Sequence, residues 1–158
     1  MPDELHFRDV MAHFTTGVTV VTSRAPDGSL CGLTVNSVAS VSLKPLLVLV
    51  CVDREAASHS CIAAGGAFAV SVLGRSHEGL ARRFSLGNRR DRFQDLNYRI
   101  EMTGSPVLED ALAWLDCQVT EVHQGGDHSI VVGEVVACDS QEGEPLVFFR
   151  GGYHGIGP

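Results

Sequence analysis

Residues 32–73 read GLTVNSVASVSLKPLLVLVCVDREAASHSCIAAGGAFAVSVL, and the fold class follows from this stretch. Leu30–Ser42 is strand-like but unusually rich in small hydroxyl and amide side chains. The apolar run Leu46–Val52 predicts a strand that is buried on both faces. Asp53–Ala64 predicts a short helix that ends at a pair of glycines, and Ala67–Leu73 predicts the next strand.

The N-terminal part of the chain adds a helix and a strand. Apolar residues recur there at the spacing of a short amphipathic helix: Phe7, Val10, Met11 and Phe14. Thr15–Ser23 is rich in β-branched residues and predicts a strand, and Pro26-Asp27-Gly28 has the chemistry of a turn. After the opening stretch, Ser76–Phe84 predicts a helix and Ser85–Asp95 predicts a charged loop.

The C-terminal part predicts a hairpin and a last strand. Leu115, Cys117 and Val119 alternate with the polar residues Asp116, Gln118 and Thr120, which predicts a half-buried strand. Gln124–Asp127 predicts a tight turn, and Ile130–Cys138 predicts the partner strand. Pro145 precedes a last predicted strand, Leu146–Arg150.

The predicted total is six or seven strands with two or three short helices. Turn-separated strands in this number favour a closed or nearly closed antiparallel β-barrel. A doubly wound parallel sheet would need a helix after nearly every strand. We therefore expect a mainly β fold in which residues 1–158 form a single domain.

Composition restricts the classes of function. The chain of 158 residues carries a formal net charge of -7, which argues against a nucleic-acid surface and gives no attraction to anionic lipid. The N-terminus MPDELHFRDV lacks the apolar region of a secretory signal, and no apolar run is long enough to span a membrane. We therefore expect a cytoplasmic protein.

The cysteines and histidines show no pattern typical of a metal site. The five cysteines are odd in number and form no C-x-x-C motif, so neither a disulfide framework nor a structural zinc site is expected. Cys51, Cys117 and Cys138 lie in strand-like apolar runs, where cysteine behaves as a small buried hydrophobe. The seven histidines lack metal-binding spacing, so no metal is expected.

The polar segment Leu33–Ser42 is the first candidate for chemistry. Strand alternation would place five residues on one face: Thr34, Asn36, Val38, Ser40 and Ser42. Short hydrogen-bonding side chains on one face suit a flat ligand with a polar edge. A solvent-exposed strand decorated with hydroxyl groups would have the same pattern, and the residues alone leave both interpretations open.

The second candidate is Asp53–Ser60, directly after the apolar strand. A helix N-terminus presents free N–H groups and the positive end of a dipole, which together bind phosphate. Arg54 would add charge, and Ser58 would add a hydroxyl donor. Simple helix capping by Asp53 or Ser58 is the alternative.

Two further candidates lie near the C-terminus. His128 follows the turn residues Gly126 and Asp127, where it could stay accessible to a ligand, although a lone histidine is usually only a surface residue. Arg150–Tyr153 combines a cation, flexible backbone and an aromatic face. No G-x-G-x-x-G motif follows a strand, so a nicotinamide cofactor would not be held in a Rossmann crevice.

At these residues the sequence resembles the flavin reductase-like, FMN-binding split-barrel family. It is most similar to the small reductase components of two-component flavin monooxygenases. Four segments carry the resemblance in the family's order: residues 7–23, 32–73, 125–136 (GGDHSIVVGEVV) and 145–156 (PLVFFRGGYHGI). The resemblance implies a Greek-key, split antiparallel β-barrel with a few short flanking helices. It also implies a homodimer with flavin near the subunit interface, and hydride transfer from NADH or NADPH to flavin N5.

The resemblance also implies roles for individual residues. Thr34, Asn36, Ser37 and the Cys51–Val52 backbone would line the isoalloxazine and ribityl chain. Ser58 would meet the phosphate, and His128 and Tyr153 would face the nicotinamide, with His128 as the catalytic residue. The full expected cofactor-binding set is Thr34, Val35, Asn36, Ser37, Ser40, Cys51, Val52, Arg54, Ser58, Phe84, His128 and Tyr153.

FMN is the expected flavin, because the sequence offers one convincing phosphate site and no obvious adenine clamp. The charged loop around Phe84 and Arg89 could still supply such a clamp, so FAD remains possible.

The leading hypothesis is an NAD(P)H-dependent flavin reductase that supplies reduced flavin to a separate monooxygenase. In such an enzyme the flavin carries the hydride chemistry, and the protein supplies position and electrostatics. One rival is a flavin-holding electron carrier or sensor without reductase turnover. An oxidase of the pyridoxamine-phosphate kind is another, but the sequence shows no basic cluster suited to a second phosphate. A barrel that binds no cofactor is the third.

Overall fold

The computed structural model describes residues 1–157 and consists mostly of β-strands. Its helices and strands in chain order are α1 (Glu4–Ala12), β1 (Thr16–Gly17), β2 (Thr19–Arg24), β3 (Leu30–Val35), β4 (Val38–Leu43), β5 (Leu46–Asp53), α2 (His59–Ala64), β6 (Ala67–Val72), α3 (Glu78–Leu86), β7 (Tyr98–Ile100), β8 (Pro106–Leu108), β9 (Ala113–Gly125), β10 (His128–Ser140), β11 (Leu146–Phe149) and β12 (Gly152–Gly155). Short 3-10 helices at Arg75–His77 and Arg89–Asp91 flank α3.

The largest sheet has seven strands in the order β3-β2-β6-β9-β10-β5-β4, and each neighbouring pair is antiparallel. The edge strands β3 and β4 are consecutive in the chain, so the sheet curls until its edges meet at Asn36–Ser37. There the Cys51 N–H donates to the Ser37 carbonyl, and the Ser37 hydroxyl donates to the Cys51 carbonyl. We call this junction, Asn36–Ser37 with Cys51, the seam. The architecture confirms the predicted split β-barrel.

The core consists of two apolar clusters. One fills the curled sheet and includes Val21, Val50, Val52, Phe68, Val70 and Val131. The other lies beneath α3 and includes Val20, Leu73, Ala81, Phe84 and Leu108. Close packing leaves no room for a side chain at Gly133, where an added Cβ would lie 2.7 Å from the Phe68 ring.

The predicted strand Thr15–Ser23 is in fact two strands in two sheets. Thr16–Gly17 pairs with β11 in a small sheet of the order β1-β11-β12, whereas Thr19–Arg24 pairs with β3 and β6. The chain changes sheets at Val18, which is buried. Three further strands, β7, β8 and β12, are absent from the sequence prediction because three or four residues are too few to show alternation.

The polar segment Leu33–Ser42 does not form one continuous strand face, contrary to the prediction. β3 ends at Val35 and β4 begins at Val38, and these strands pair with different neighbours, β2 and β5. A register shift between Ser40 and Ser42 further disturbs the alternation within β4. The five residues expected on one face are therefore divided between two strands and the seam.

β5 is buried on one face only, which corrects the prediction of a strand buried on both faces. Val48, Val50 and Val52 point into the core, whereas Leu47 and Leu49 are partly exposed. Within the described chain nothing covers the second face fully, and its alternating burial resembles that of an ordinary antiparallel strand.

The predicted alternation in β9 fails at Asp116, which is completely buried. The backbone N–H groups of Met102 and Thr103 donate to its carboxylate at 2.7 and 2.9 Å, and the Thr103 hydroxyl donates as well. Asp116 therefore stabilises the turn before β8 instead of facing solvent.

The helix predicted over Asp53–Ala64 is half as long as expected. Only His59–Ala64 is helical, and it ends at the predicted glycine pair. Between β5 and α2 the chain forms turns, in which the Asp53 carboxylate accepts a hydrogen bond from the Glu55 N–H at 2.8 Å. The strand thus does not run directly into a helix N-terminus.

The cysteines differ from the prediction in two respects. Cys31 and Cys61 form a disulfide that joins β3 to α2, whereas no disulfide framework was expected from the sequence. A pair separated by 30 residues leaves no short-range signature in the sequence. Cys117 is buried as predicted and Cys51 is partly buried, but Cys138 is exposed.

The predicted N-terminal helix is present as α1, but its apolar stripe is not buried. Phe7, Val10, Met11 and Phe14 are between 48% and 68% exposed. Within residues 1–157, no helix has both the length and the apolar character needed to cross a membrane.

Candidate functional site

A cavity of about 290 Å³ opens at the end of β3, beside the small sheet. Its lining combines apolar and aromatic surface with short polar side chains: Val18, Thr34, Val35, Asn36, Ser85, Phe148 and Tyr153. Four of the predicted site residues, Thr34, Val35, Asn36 and Tyr153, therefore lie together. We call this space the seam cavity.

Hydrogen bonds hold the β3 wall of the seam cavity in place. The Thr34 hydroxyl donates to the Ala81 carbonyl of α3 at 2.6 Å, and the Thr19 hydroxyl donates to the Val35 carbonyl at 2.8 Å. A hydroxyl that donates one bond can still accept others, so Thr34 remains available to a ligand donor. The exposed Asn36 offers both a donor and an acceptor.

The opposite wall is aromatic. The rings of Phe148 and Tyr153 lie 5.5 Å apart on adjacent strands, and the Arg82 guanidinium lies over the Tyr153 ring at 5.1 Å. Arg82 also pairs with Glu78 at 2.9 Å, which fixes its position on α3. The cavity thus presents apolar surface to a flat ring, with a cation close to one wall.

Strand β5 leads from Cys51 of the seam toward His128. Ser37 is bonded to Cys51, and Asp53, two residues further along β5, stands opposite His128 on β10. Two strand residues span about 7 Å. The Arg54 N–H donates to the Asp127 carbonyl at 3.0 Å, so Arg54 lies at this same end. Ser40 is exposed on β4, opposite Val48.

His128 is held by its neighbour in the hairpin turn. Its Nδ1 lies 2.7 Å from a carboxylate oxygen of Asp127, and 41% of the imidazole side chain is exposed. The hydrogen bond from His128, together with its charge, holds the pKa of the Asp127 carboxyl below the ordinary value. The bond orients the ring through Nδ1 and leaves Nε2 free to contact a ligand.

Burial restricts what two of the predicted residues can do. Phe84 is completely buried and packs edge-on against Phe93 at 5.2 Å, so its ring is not exposed to a ligand, and its contact with a cofactor stays a prediction. The Val52 side chain is also completely buried, which leaves only its backbone for binding.

Ser58 occupies the predicted position before α2, but its hydroxyl points inward. It is 2% exposed and donates to the Gly32 carbonyl at 3.1 Å. In this arrangement Ser58 supports β3 and does not present its hydroxyl to solvent. Its contact with a phosphate therefore stays a prediction that requires the hydroxyl to turn outward.

Several residues at the site have no signal in the sequence that marks them as functional. Val18 and Phe148 have the pattern of ordinary strand residues, and Ser85 that of a charged loop. Arg92 donates to the same Gly32 carbonyl as Ser58, at 2.6 Å. The pairing of segments that are distant in the chain brings these residues together, and local sequence patterns do not predict such pairing.

The family model described as "Flavin reductase like domain" matches residues 11–157. The chain belongs to this family. Its sequence is 41% identical over 155 residues to a flavin reductase of Pseudomonas putida, with 98% of this chain and 91% of that protein covered. It is 38% identical over 159 residues to the reductase subunit of a flavin-dependent monooxygenase from Mycobacterium tuberculosis, with 99% and 84% covered.

Solved structures of family members share the fold. The flavin reductase PheA2 superposes with a TM-score of 0.91 at 37% identity, with 99% of this chain and 100% of that chain covered. An NADH:FAD oxidoreductase of Streptomyces globisporus, in complex with NAD and FAD fragments, gives a TM-score of 0.91 at 37% identity, with 99% and 94% covered. The resemblance found in the sequence is thereby confirmed.

Proposed function

We propose that this protein is a flavin reductase that uses NADH to reduce a flavin and supplies the reduced flavin to a separate monooxygenase. The observation that carries the proposal is the seam cavity, which gathers Thr34, Val35, Asn36 and Tyr153 in a member of the flavin reductase family. The named relatives, a flavin reductase and a monooxygenase reductase subunit, support both the reaction and the kind of partner.

The lining of the seam cavity fits a flavin in its donor set and in its aromatic surface. An isoalloxazine ring is flat and apolar across its faces, with hydrogen-bonding atoms along one edge. Phe148 and Tyr153 offer an aromatic wall, and Thr34 and Asn36 offer donors and acceptors. Bound flavin supplies the ring that accepts a hydride, and the protein needs no nucleophile of its own.

The residues of the cavity act by binding and by electrostatics. The Asn36 amide can bond the polar edge of the ring, and Thr34, fixed through Ala81, can accept from it. Arg82 carries a positive charge beside Tyr153. A fixed cation and fixed donors favour the negative charge that builds on a flavin during reduction.

His128 is the residue that we assign to the nicotinamide. Its bond to Asp127 orients the imidazole, and its partial exposure leaves one ring nitrogen accessible. The role is positional: a hydrogen bond from His128 would hold the nicotinamide close to the flavin, and His128 need not exchange a proton. Alignment of this kind contributes strongly to the rate of a transfer reaction.

The protein acts as a homodimer in this proposal. The apolar stripe formed by Phe7, Val10 and Met11 of α1 and by Phe14, which follows the helix, is exposed in the single chain. Leu43 and Leu46 beside the β4–β5 turn are exposed as well. Exposed apolar surface of this extent favours a protein interface. A second copy of the chain is the occupant that would cover it.

The test of the function is steady-state NADH oxidation with and without added flavin. The proposal predicts many NADH molecules consumed per protein molecule, at a rate that depends on the flavin concentration. A flavin-holding carrier would bind flavin but oxidise NADH no faster than free flavin does. That second outcome would reject the reductase reaction but would still support the seam cavity as a flavin-binding site.

A further inference from the structure

The disulfide between Cys31 and Cys61 joins two elements that border the proposed flavin site. Cys31 lies on β3, three residues before Thr34 of the seam cavity, and Cys61 lies on α2, three residues after Ser58. The Cα atoms of the two cysteines are 6.5 Å apart, so the bond fixes the distance between β3 and the first turn of α2. The reaction proposed above does not use this cysteine pair.

The disulfide and the Ser58 hydroxyl meet at one carbonyl group. Gly32, directly after Cys31, has a carbonyl that accepts from the Ser58 hydroxyl at 3.1 Å and from the Arg92 guanidinium at 2.6 Å. Ser58 directly precedes α2, and its own carbonyl accepts from the Ile62 N–H at 3.1 Å. The disulfide and the Ser58 hydrogen bond therefore span the same gap between β3 and α2.

The Ser58 hydroxyl does not reach a ligand while this gap stays closed. The residue as a whole is 2% exposed, so rotation of the hydroxyl alone does not bring it to the surface. The start of α2 has to move away from β3, and the disulfide opposes that movement because it holds Cys61 close to Cys31. With the bond intact, the Ser58 hydroxyl stays turned toward Gly32.

The hydrogen bond that Ser58 would give up is replaceable. A carbonyl oxygen has two lone pairs, and Arg92 would continue to donate to the Gly32 carbonyl after Ser58 has left. The movement would therefore not leave a buried acceptor without a partner, which is the usual cost of breaking an internal hydrogen bond. The disulfide is thus the main restraint on the outward turn of Ser58.

Other contacts keep α2 attached when the disulfide is open. Ile62 is completely buried in the apolar cluster that fills the curled sheet. The His59 ring lies 2.8 Å from the Ser129 hydroxyl of β10. Both contacts are made by side chains that can follow a small shift of the backbone. Opening of the disulfide should therefore loosen the start of the helix without unfolding the protein.

The disulfide lies close enough to the surface to be reduced and formed again. Cys61 is 9% exposed and belongs to a helix of six residues, which is shorter than helices that are stable without tertiary contacts. Cys31 lies on β3, an edge strand of the seven-stranded sheet. Local opening of such elements costs less than global unfolding, so a small thiol or peroxide can reach the sulfur atoms.

We propose that the Cys31–Cys61 pair is a reversible redox switch that controls the affinity of the site for the phosphate of a flavin. In the disulfide form Ser58 is held inward and the flavin binds weakly. In the dithiol form Ser58 turns outward and donates to the phosphate. The inference rests on the proposed function, since Ser58 matters in this way only if a flavin phosphate binds beside α2.

The switch requires a reductant and an oxidant. A dithiol opens the disulfide by exchange: it loses two electrons and two protons and becomes a disulfide, and Cys31 and Cys61 become thiols. Hydrogen peroxide closes the bond again. It oxidises one thiol to a sulfenic acid with release of water, and the second thiol displaces the hydroxyl group as water and forms the S–S bond.

The proposed reaction can itself supply the oxidant. Reduced flavin that no monooxygenase takes up reacts with O₂, which gives oxidised flavin and hydrogen peroxide. The peroxide would convert the Cys31–Cys61 pair to the disulfide and weaken flavin binding. The switch would thereby slow the reductase when it produces more reduced flavin than its partner uses.

Flavin titration of the two redox forms tests the switch. We compare the peroxide-treated protein with the same protein after treatment with dithiothreitol and its removal, and peptide mass spectrometry verifies the state of Cys31 and Cys61. FMN should bind about tenfold more tightly to the dithiol form, which is the effect of one hydrogen bond to a charged group. Riboflavin, which lacks the phosphate, should bind equally to both forms.

Three variants locate the effect. Cys31→Ala/Cys61→Ala should bind FMN like the dithiol form after either treatment, and Ser58→Ala should lose the redox response. Cys138→Ala, which removes an exposed free cysteine, is the control and should respond like the wild type. The comparison of the two forms of the wild type depends on no variant, and circular dichroism verifies that each variant is folded.

Three results would overturn the inference. They are equal FMN affinity of the two forms, an equal change in affinity for FMN and riboflavin, and failure of peroxide to join Cys31 to Cys61. The proposed function fails separately, if the wild type shows no flavin-dependent oxidation of NADH in either form.

Discussion

His128 illustrates how a turn can position one functional side chain. The turn residues Gly126 and Asp127 place it at the first position of β10, and the Asp127 carboxylate then orients its ring at 2.7 Å. The position is visible in the sequence because glycines and a hairpin pattern mark it. The hydrogen bond to Asp127 orients the imidazole ring, and an oriented imidazole would help to align the nicotinamide with the flavin.

We predict that His128→Ala impairs the nicotinamide step and spares flavin binding. The loss of one neutral hydrogen bond, about 1 kcal/mol, would lower kcat/KM for NADH roughly fivefold. Loss of alignment could extend this to about a hundredfold. His123→Ala is the matched control, because His123 is exposed on β9 and pairs only with Glu121. Equal kcat/KM for NADH in the wild type and in His128→Ala would show that His128 is only a surface residue.

The three free cysteines should differ in reactivity. Burial, with smaller effects from the charges of Asp116 and Cys138, raises the pKa of the Cys117 thiol to about 12. Burial also raises the pKa of Cys51. The thiolate is the reactive form, so an alkylating reagent at about pH 8 should modify the exposed Cys138 first and leave Cys117 unmodified. Peptide mass spectrometry after short labelling would identify the site, and early labelling of Cys117 would contradict this order.

At the scale of the elements, Asp116 shows where alternation misleads. The pattern in β9 predicts a polar face for Asp116, but the turn at residues 102–105 folds over it and donates three hydrogen bonds to its carboxylate. A contact between a strand and a distant turn has no periodicity. For the same reason, the sequence does not predict the inward orientation of the Ser58 hydroxyl or the hydrogen bond from Arg92 to the Gly32 carbonyl.

We predict that Asp116→Asn destabilises the fold. The substitution replaces one acceptor oxygen by an amide nitrogen that faces hydrogen-bond donors, and it removes charge-assisted bonds. The expected loss is about 1.5–3 kcal/mol in the free energy of unfolding. Urea unfolding followed by circular dichroism measures it. Asp139→Asn, an exposed carboxylate on β10 that bonds only its neighbour Ser140, should cost far less. Equal stability of both variants would show that the Asp116 bonds contribute little.

The local elements were largely predictable, and their assembly was predictable only in part. The long hairpin of β9 and β10 follows from its alternation and its glycine turn, and the helix α1 follows from apolar spacing. The division of Thr15–Ser23 between two sheets depends on pairing with β11, which lies far away in the chain. Of the residues that line the seam cavity, Thr34 and Asn36 could be predicted from their polar strand pattern, whereas Val18, Ser85 and Phe148 reach the cavity through pairing of distant segments that local patterns do not show.

At the scale of the whole molecule, the exposed stripe of α1 predicts assembly. A pair of substitutions, Phe7→Glu with Val10→Glu, should convert the dimer to a monomer, because charged side chains oppose burial of the stripe. Light scattering coupled to gel filtration measures the mass. Arg8→Glu reverses a charge on the same helix outside the stripe and should leave the mass unchanged. A wild type that is already monomeric would contradict the proposed homodimer.

If flavin is reduced in the seam cavity, a variant that fills the cavity should impair the use of flavin. Ser85 lines the cavity from the exposed face of α3, and Leu86, its neighbour, is 82% exposed and lies outside the lining. We therefore compare flavin-dependent NADH oxidation by the wild type, Ser85→Trp and the control Leu86→Trp. We predict a KM for flavin at least tenfold higher in Ser85→Trp and unchanged in Leu86→Trp, since a tryptophan side chain would occupy the space of the ring. Equal KM values for flavin in all three proteins would contradict it.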